Sequence, residues 1–205
     1  MSAIVLQIHP ENPQKRLIKQ VAQVLDNGGV IAYPTDSSYA LGCHLGDKSA
    51  LDRIRNIRKV DDKHHYTLVG RDIAQITDYV KISNQQYRLV KSYTPGPFTF
   101  ILPAKRKVPR RSMHHKRRTI GIRIPDNIIV QEMLDELHEP ILSSTLLMPG
   151  RVLPLGDSEN VIDQVSHSVD LIVDSGFCGI EPTTVIDWRT DSPEIVRQGK
   201  GEMSL

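Results

Sequence analysis

One stretch restricts this chain more than any other: Val30 to Cys43, Val-Ile-Ala-Tyr-Pro-Thr-Asp-Ser-Ser-Tyr-Ala-Leu-Gly-Cys. It begins as a short apolar run, Val30-Ile31-Ala32, with the character of a buried strand. Pro34 then removes a backbone donor and ends regular pairing. Short hydroxyls and one acid follow (Thr35, Asp36, Ser37 and Ser38), flanked by Tyr33 and Tyr39. A rigid strand that carries short polar side chains at its end is a good place to hold a ligand. The same residues also describe an ordinary strand followed by a Ser-rich turn, and spacing alone leaves both readings open.

Helices and strands alternate around this stretch. Asn12-Pro13 predicts a helix start, with Asn12 as cap and Pro13 at the first helical position. Leu17, Ile18, Val21, Val24 and Leu25 recur at helical spacing, and Gly28-Gly29 closes the helix. Asp47 predicts the cap of a second helix with Leu51, Ile54 and Ile57 on one face. Thr67 to Gly70 reads as a strand, Asp72 as the cap of a short helix, and Ser83 with Gln86 as a capping box. Pro95-Gly96-Pro97 imposes a turn, and alternating Phe98, Phe100 and Leu102 predict a strand after it. Further strands are predicted over Thr119 to Ile124, Ile141 to Thr145, Val169 to Val173 and Glu194 to Arg197, with helices after Asn127 and Asp157. This pattern is α/β: a mixed sheet with flanking helices. With 205 residues, 39% of them hydrophobic, and no evident linker, it reads as one domain over 1–205 with its core at about 12–201.

No apolar run reaches the length of a membrane span, and the first residues lack a basic segment ahead of an apolar one. The two cysteines, Cys43 and Cys178, make no Cys-x-x-Cys pair. The expectation is a cytoplasmic protein without a disulfide framework. His64-His65 has no Cys, Asp or Glu at ligand spacing, so a solvated loop is expected there and no metal site.

Charge is unevenly distributed. From Lys105 to Arg118, eight of fourteen residues are basic and none is acidic. The remaining 18 basic and 24 acidic residues leave the rest of the chain net negative, so the positive character is local. Lys105, Arg106, Lys107, Arg110, Arg111, Lys116, Arg117 and Arg118 form either a solvated loop or a surface for phosphate-rich partners. No Phe, Tyr or Trp interrupts the run, so the expected contact is with the backbone and shape of duplex RNA. Arg123 is polar within an apolar run; it either snorkels or faces a site.

The motif from Tyr33 to Leu41 resembles the Tyr-Pro-Thr-Asp-Thr-x-Tyr-Gly-Leu motif of the YrdC-like domain, found in threonylcarbamoyl-AMP synthases. Ser37 and Ala40 bring it closer to the YciO branch. Pro95 to Thr99 resembles the family's Pro-Gly-Pro-Leu-Thr, and Ile122 to Pro125 its Val-Arg-Val-Pro. Pro182 to Asp187 resembles Glu-Ser-Thr-Val-Val-Asp, and Arg197-Gln198-Gly199 resembles the terminal Arg-x-Gly. Two positions depart from the pattern. Where the family has Lys-x-Arg this chain has Arg58 and Val60, with Lys59 and Arg55 as the nearest substitute cations. Where it has Ser-x-Asn the chain has Thr145 and Leu147, and leucine can neither donate nor accept.

The resemblance implies a twisted sheet with a concave basic face. It implies substrate and nucleotide contacts from Thr35, Tyr39, Arg58, Thr99, Arg123, Ser143, Thr145, Thr183 and Arg197. The implied partners are ATP or an AMP-like nucleotide, and double-stranded RNA or transfer RNA. Two functions follow from it. One is a nucleotide- and RNA-binding relative with an altered catalytic set. The other is a synthase making threonylcarbamoyl-AMP from ATP with Mg²⁺, L-threonine and bicarbonate, for transfer-RNA modification. Such chemistry works by positioning and charge stabilisation, so the lack of a side-chain nucleophile does not exclude it. No structural cofactor is expected under either reading.

Overall fold

The structure is a computed structural model. It describes residues 2–61, 64–114, 116–190 and 192–203. Positions 62 and 63 of the His64-His65 loop, and 115 of the basic run, lie outside the described residues.

Ten strands form one mixed sheet among these residues: β1 (Ile4–Gln7), β2 (Ile31–Tyr33), β3 (Ala40–His44), β4 (Thr67–Val69), β5 (Phe98–Pro103), β6 (Thr119–Arg123), β7 (Ile141–Thr145), β8 (Leu171–Asp174), β9 (Thr184–Asp187) and β10 (Glu194–Arg197). Their order across the sheet is β1-β8-β2-β3-β7-β4-β6-β5-β9-β10. Six helices flank it: α1 (Lys15–Asp26), α2 (Lys48–Arg58), α3 (Ile73–Thr77), α4 (Asn84–Tyr93), α5 (Ile128–Leu137) and α6 (Ser158–Val165).

Strand alternation sorts the apolar residues into two layers. Ile31 and Tyr33 of β2, with Leu171 and Val173 of β8, meet Ile18, Val21 and Leu25 of α1 and Ile129, Met133 and Leu134 of α5. The intervening Ala32 and Ile172 point the other way, into a larger cluster with Leu51 and Ile54 of α2, Ile76 of α3, Val90 of α4 and Val161 of α6. Burial of these helix stripes is what holds the layers on the sheet, at roughly 1.5–3 kcal/mol for each large side chain.

Most predicted caps are present. Asp47 accepts from the Ala50 amide at 2.8 Å, Asp72 from Gln75 at 2.8 Å and Asn127 from Val130 at 3.1 Å. Ser83 and Gln86 form the reciprocal capping box. The first helix departs from expectation: its cap is Gln14, so Asn12 and Pro13 precede it. His9 Nδ1 accepts from the Glu11 and Asn12 amides, at 3.2 and 3.1 Å, and turns that segment before the helix starts. Three strands go beyond the sequence expectation, among them β9, which pairs in parallel with β5. β1 pairs in parallel with β8, ahead of the expected core, and β3 pairs with β2 and β7.

Candidate functional site

A row of directly opposed residues crosses the sheet: Leu171, Ile31, Gly42, Ser143, Thr67, Gly121, Ile101 and Asp187. Directly opposed residues share a face, so the whole row looks one way. At the Leu171 end that face is covered by α1 and α5. From Thr67 onward it forms the floor of a cleft of about 840 Å³ with Thr99 and Val185, a size suited to a small-molecule ligand. Gly121 keeps the floor low: a Cβ there would stand 3.0 Å from Thr67 Oγ1 and 3.1 Å from Thr99 Cγ2.

The walls come from several segments. Arg58 at the end of α2 is followed by Val60, Asp61, His64 and His65. Ser144, Thr145 and Leu147 lie at and just beyond the end of β7. Val152 and Pro154 form a lip, and Pro182, Thr183, Val196 and Arg197 close the far side. Arg117, from the basic run, also lines the cleft.

Arg58, His64 and Arg197 set its chemistry. Arg58 Nη1 donates to Ser144 Oγ at 3.3 Å, while its buried Nε has no partner among the described residues. Desolvation lowers the Arg58 guanidinium from its ordinary pKa, the signature of a cation short of solvent and counter-charge. His64 Nε2 lies 3.0 Å from the same Ser144 hydroxyl, and its ring meets Tyr66 edge-on. Burial first, then the Arg58 charge, lowers His64 to about 4, so the imidazole is neutral near pH 7. Across the cleft, Arg197 donates to Thr183 O at 2.8 and 3.1 Å and to Thr183 Oγ1 at 3.1 Å. Thr183 Oγ1 is 2.9 Å from Thr99 Oγ1. Desolvation, then the Arg123 charge, lowers Arg197. Cations and hydroxyls that converge on an open cleft suit an anionic ligand, and phosphate oxygens accept from both kinds of donor.

Of the nine positions implied by resemblance, Arg58, Thr99, Thr145, Thr183 and Arg197 line this cleft. The other four do not. Tyr39 is buried and its hydroxyl donates to Gly176 O at 3.0 Å. Ser143 is buried against the Tyr33 hydroxyl at 2.7 Å. Thr35 and Arg123 belong to a buried knot at the ends of β2 and β6. There Arg123 Nη2 donates to Thr35 Oγ1 at 3.0 Å, to Ser37 Oγ at 2.9 Å and to Asp36 Oδ1. Asp36 also accepts from the Asp126 amide at 3.0 Å. Arg123 therefore neither snorkels nor enters the open cleft. It joins two turns, and Asp36 is its partner.

The His64 loop differs from the solvated loop expected for it. Adjacent side chains diverge, which sends His64 inward to Ser144 and His65 outward to the His114 ring. The basic run is likewise not uniformly free. Lys105 Nζ donates to Thr77 O at 2.6 Å, and Lys107 pairs with Asp78 at 3.3 Å and lies over the Tyr79 ring. Arg106, Arg110, Arg111, Lys116, Arg117 and Arg118 are exposed. No described group of three His, Cys, Asp or Glu side chains is placed to hold a metal, and no described helix is long and apolar enough to cross a membrane.

Comparison with known proteins places this geometry. The Sua5–YciO–YrdC family model, described as "Telomere recombination", matches residues 23–199. A Haemophilus influenzae protein is 51% identical over 195 residues, covering 95% of this chain and 94% of its own. The crystal structure of Escherichia coli YciO superposes with a TM-score of 0.94 at 46% identity, covering 98% and 97% of the two chains. A threonylcarbamoyl-AMP synthase of Vibrio vulnificus is 28% identical, covering 89% of this chain and 98% of its own.

Proposed function

The chain belongs to the Sua5–YciO–YrdC family, and we propose that its cleft binds an AMP-like nucleotide or ATP while its basic segment contacts double-stranded RNA or transfer RNA. The observation that carries this reading is the convergence of Arg58, Arg117 and Arg197 with the hydroxyls of Thr99, Thr145 and Thr183 around one cleft. Phosphates bring negative charge and many acceptor oxygens, which this donor set matches. The ATP form would carry Mg²⁺ on its own phosphates. Besides Arg117, the exposed Arg106, Arg110, Arg111, Lys116 and Arg118 lie on the 105–118 segment and supply the charge that contact with a nucleic-acid backbone requires. A cytoplasmic location goes with these partners.

Val60 and Leu147 line the same cleft. By the resemblance they stand where the synthases have an arginine and an asparagine, so two donors to a nucleotide are replaced by alkyl groups. On this reading threonylcarbamoyl-AMP synthesis from ATP, L-threonine and bicarbonate is weak or absent. The alternative, an active synthase, is favoured by the retained Arg58, Thr145 and Arg197 around the cleft.

Calorimetric titration with ATP and AMP, followed by pyrophosphate release with each substrate omitted in turn, separates the two. Nucleotide binding without threonine-dependent pyrophosphate release is the expected result. Release that needs all three substrates establishes the synthase instead, and no nucleotide binding overturns both. Under the synthase reading, Val60→Arg combined with Leu147→Asn raises the rate.

A further inference from the structure

The cleft and the basic segment meet at one turn. His114 N donates to Thr119 O at 2.8 Å, Arg118 N to His114 O at 2.9 Å and Arg117 N to His114 Nδ1 at 3.2 Å. Arg118 adopts a left-handed φ of 52° to complete it. This turn delivers the chain into β6, two residues before Gly121 on the cleft floor. Arg117 consequently belongs to both regions: it is part of the basic run and it lines the cleft.

The same turn brings the His114 ring against His65, which leaves the outer face of the exposed His65 ring open to a stacking partner. The His65 and His114 rings lie 4.7 Å apart with their planes at 35°. His65 lines the cleft and is exposed, while the His114 ring is fixed by the Arg117 amide on its Nδ1. Burial, then the neighbouring His114 and Arg117, lowers His65 from its usual pKa and favours an uncharged ring. The run between 105 and 118 lacks Phe, Tyr and Trp, but folding places this ring pair beside it. A base presents a π-face to such a surface whatever its identity.

A nucleoside 5′-monophosphate and the 5′-phosphorylated end of an RNA differ only at the sugar's 3′ oxygen, which in RNA carries the next phosphate. We propose that the cleft takes the unpaired, 5′-phosphorylated end of an RNA strand: Arg58 meets the terminal phosphate, the His65–His114 pair stacks a base, and Arg117 leads the following phosphates onto the exposed cations of the 105–118 segment. The proposal rests on the nucleotide-binding reading above and names the form in which the nucleotide arrives. It gives the cleft and the basic segment one ligand, where a free nucleotide or a closed duplex would engage one of them alone.

The test uses three RNAs of one duplex sequence at fixed salt, because affinity is strongly salt-dependent. The first has a four-nucleotide 5′ overhang with a terminal phosphate and 2-aminopurine as the terminal base. The second has the same overhang with a 5′ hydroxyl. The third is a closed dumbbell with no end. Fluorescence anisotropy is expected to show the first bound roughly tenfold more tightly than the other two, as loss of one phosphate or stacking contact implies. AMP competes for it, and 2-aminopurine emission falls on binding in the wild type but far less in His65→Ala. Equal affinity for the three RNAs, or no binding of any, overturns the proposal. So does failure of AMP to compete when calorimetry shows that AMP binds. If AMP alone does not bind, the nucleotide-binding reading fails, and the comparison of the three RNAs still decides whether the protein prefers a strand end.

Discussion

Leu171 and Ile101 stand in one row on one face of one sheet, yet their surroundings are opposite. On the Leu171 side, Ile31, Tyr33, Ile141 and Val69 are at most 1% exposed beneath α1 and α5. On the Ile101 side, Thr67, Thr99 and Val185 are half-buried, and together with Ile101 and Gly121 they line the cleft. The reverse face of this open half is as fully packed as any part of the molecule, through Leu68, Phe100, Ile122 and Ile186. The difference shows how a site is made here. Around Thr67, Thr99, Gly121 and Val185 only the reverse face of the sheet is packed into a core, which leaves short side chains on this face to serve a ligand. Ser143, tied to the Tyr33 hydroxyl, marks the boundary between the halves.

The Asp36–Arg123 pair joins the end of β2 in the covered half to the end of β6 in the open half, with both side chains under a tenth exposed. Asp36→Ala leaves Arg123 buried without its carboxylate and is expected to cost about 3–5 kcal/mol in urea denaturation. Nucleotide binding should weaken with it. A loss confined to stability would mean that the two halves are independent. Leu25→Ala, in the covered half, opens a cavity at a fully buried position and should cost about 2–5 kcal/mol. Thr99→Ala on the cleft floor removes the hydrogen bond to Thr183 and should cost only about 0.5–1.5 kcal/mol while weakening AMP binding. Similar stability losses at the two positions would break the contrast.

Arg58→Ala sharpens it further. Among the described residues the side chain makes a long hydrogen bond to Ser144 and its Nε finds no partner, so its removal should barely alter the melting temperature. It should nevertheless reduce nucleotide affinity about tenfold or more, the worth of a hydrogen bond to a charged group.

The smallest effect is a pH dependence. His64 has a folded-state pKa of about 4, below its ordinary 6.5, so between these values the unfolded chain binds more protons. His64 therefore takes stability away as pH falls from about 6.5 towards 4 and contributes nothing to the slope above that range. His64→Asn should flatten the decline in melting temperature across this window. An unchanged slope would exclude His64 as its source.

Much of this was legible in the sequence, for reasons that can be named. The caps at Asp47, Asp72, Ser83 and Asn127 act within one turn of chain, and a local signal survives into the fold. Phe98, Phe100 and Leu102 alternate cleanly because β5 has one packed face and one open face. β3 carries no such alternation: Ala40, Leu41, Gly42 and Cys43 are all buried, and Gly42 leaves room for the Tyr33 ring. The start of α1 was obscured because His9, outside the helix, takes the amides that Asn12 was expected to organise. Of the positions named from the motifs, Arg58, Thr99, Thr145, Thr183 and Arg197 line the cleft. His64 escaped because its partner, Ser144, is eighty residues away on β7, a separation that only the sheet closes. Asp36 was visible in the motif, but its role depends on Arg123, which is brought to it from β6.

One experiment decides whether ligand binding belongs to the uncovered half of the sheet. The direct measurement is to titrate ATP into isotope-labelled protein and map the amide resonances that shift. Shifts are expected at Thr67, Thr99, Gly121, Thr145 and Thr183, with α1 and α5 unchanged. Shifts centred on α1 and α5, or none at saturating ATP, would contradict that assignment.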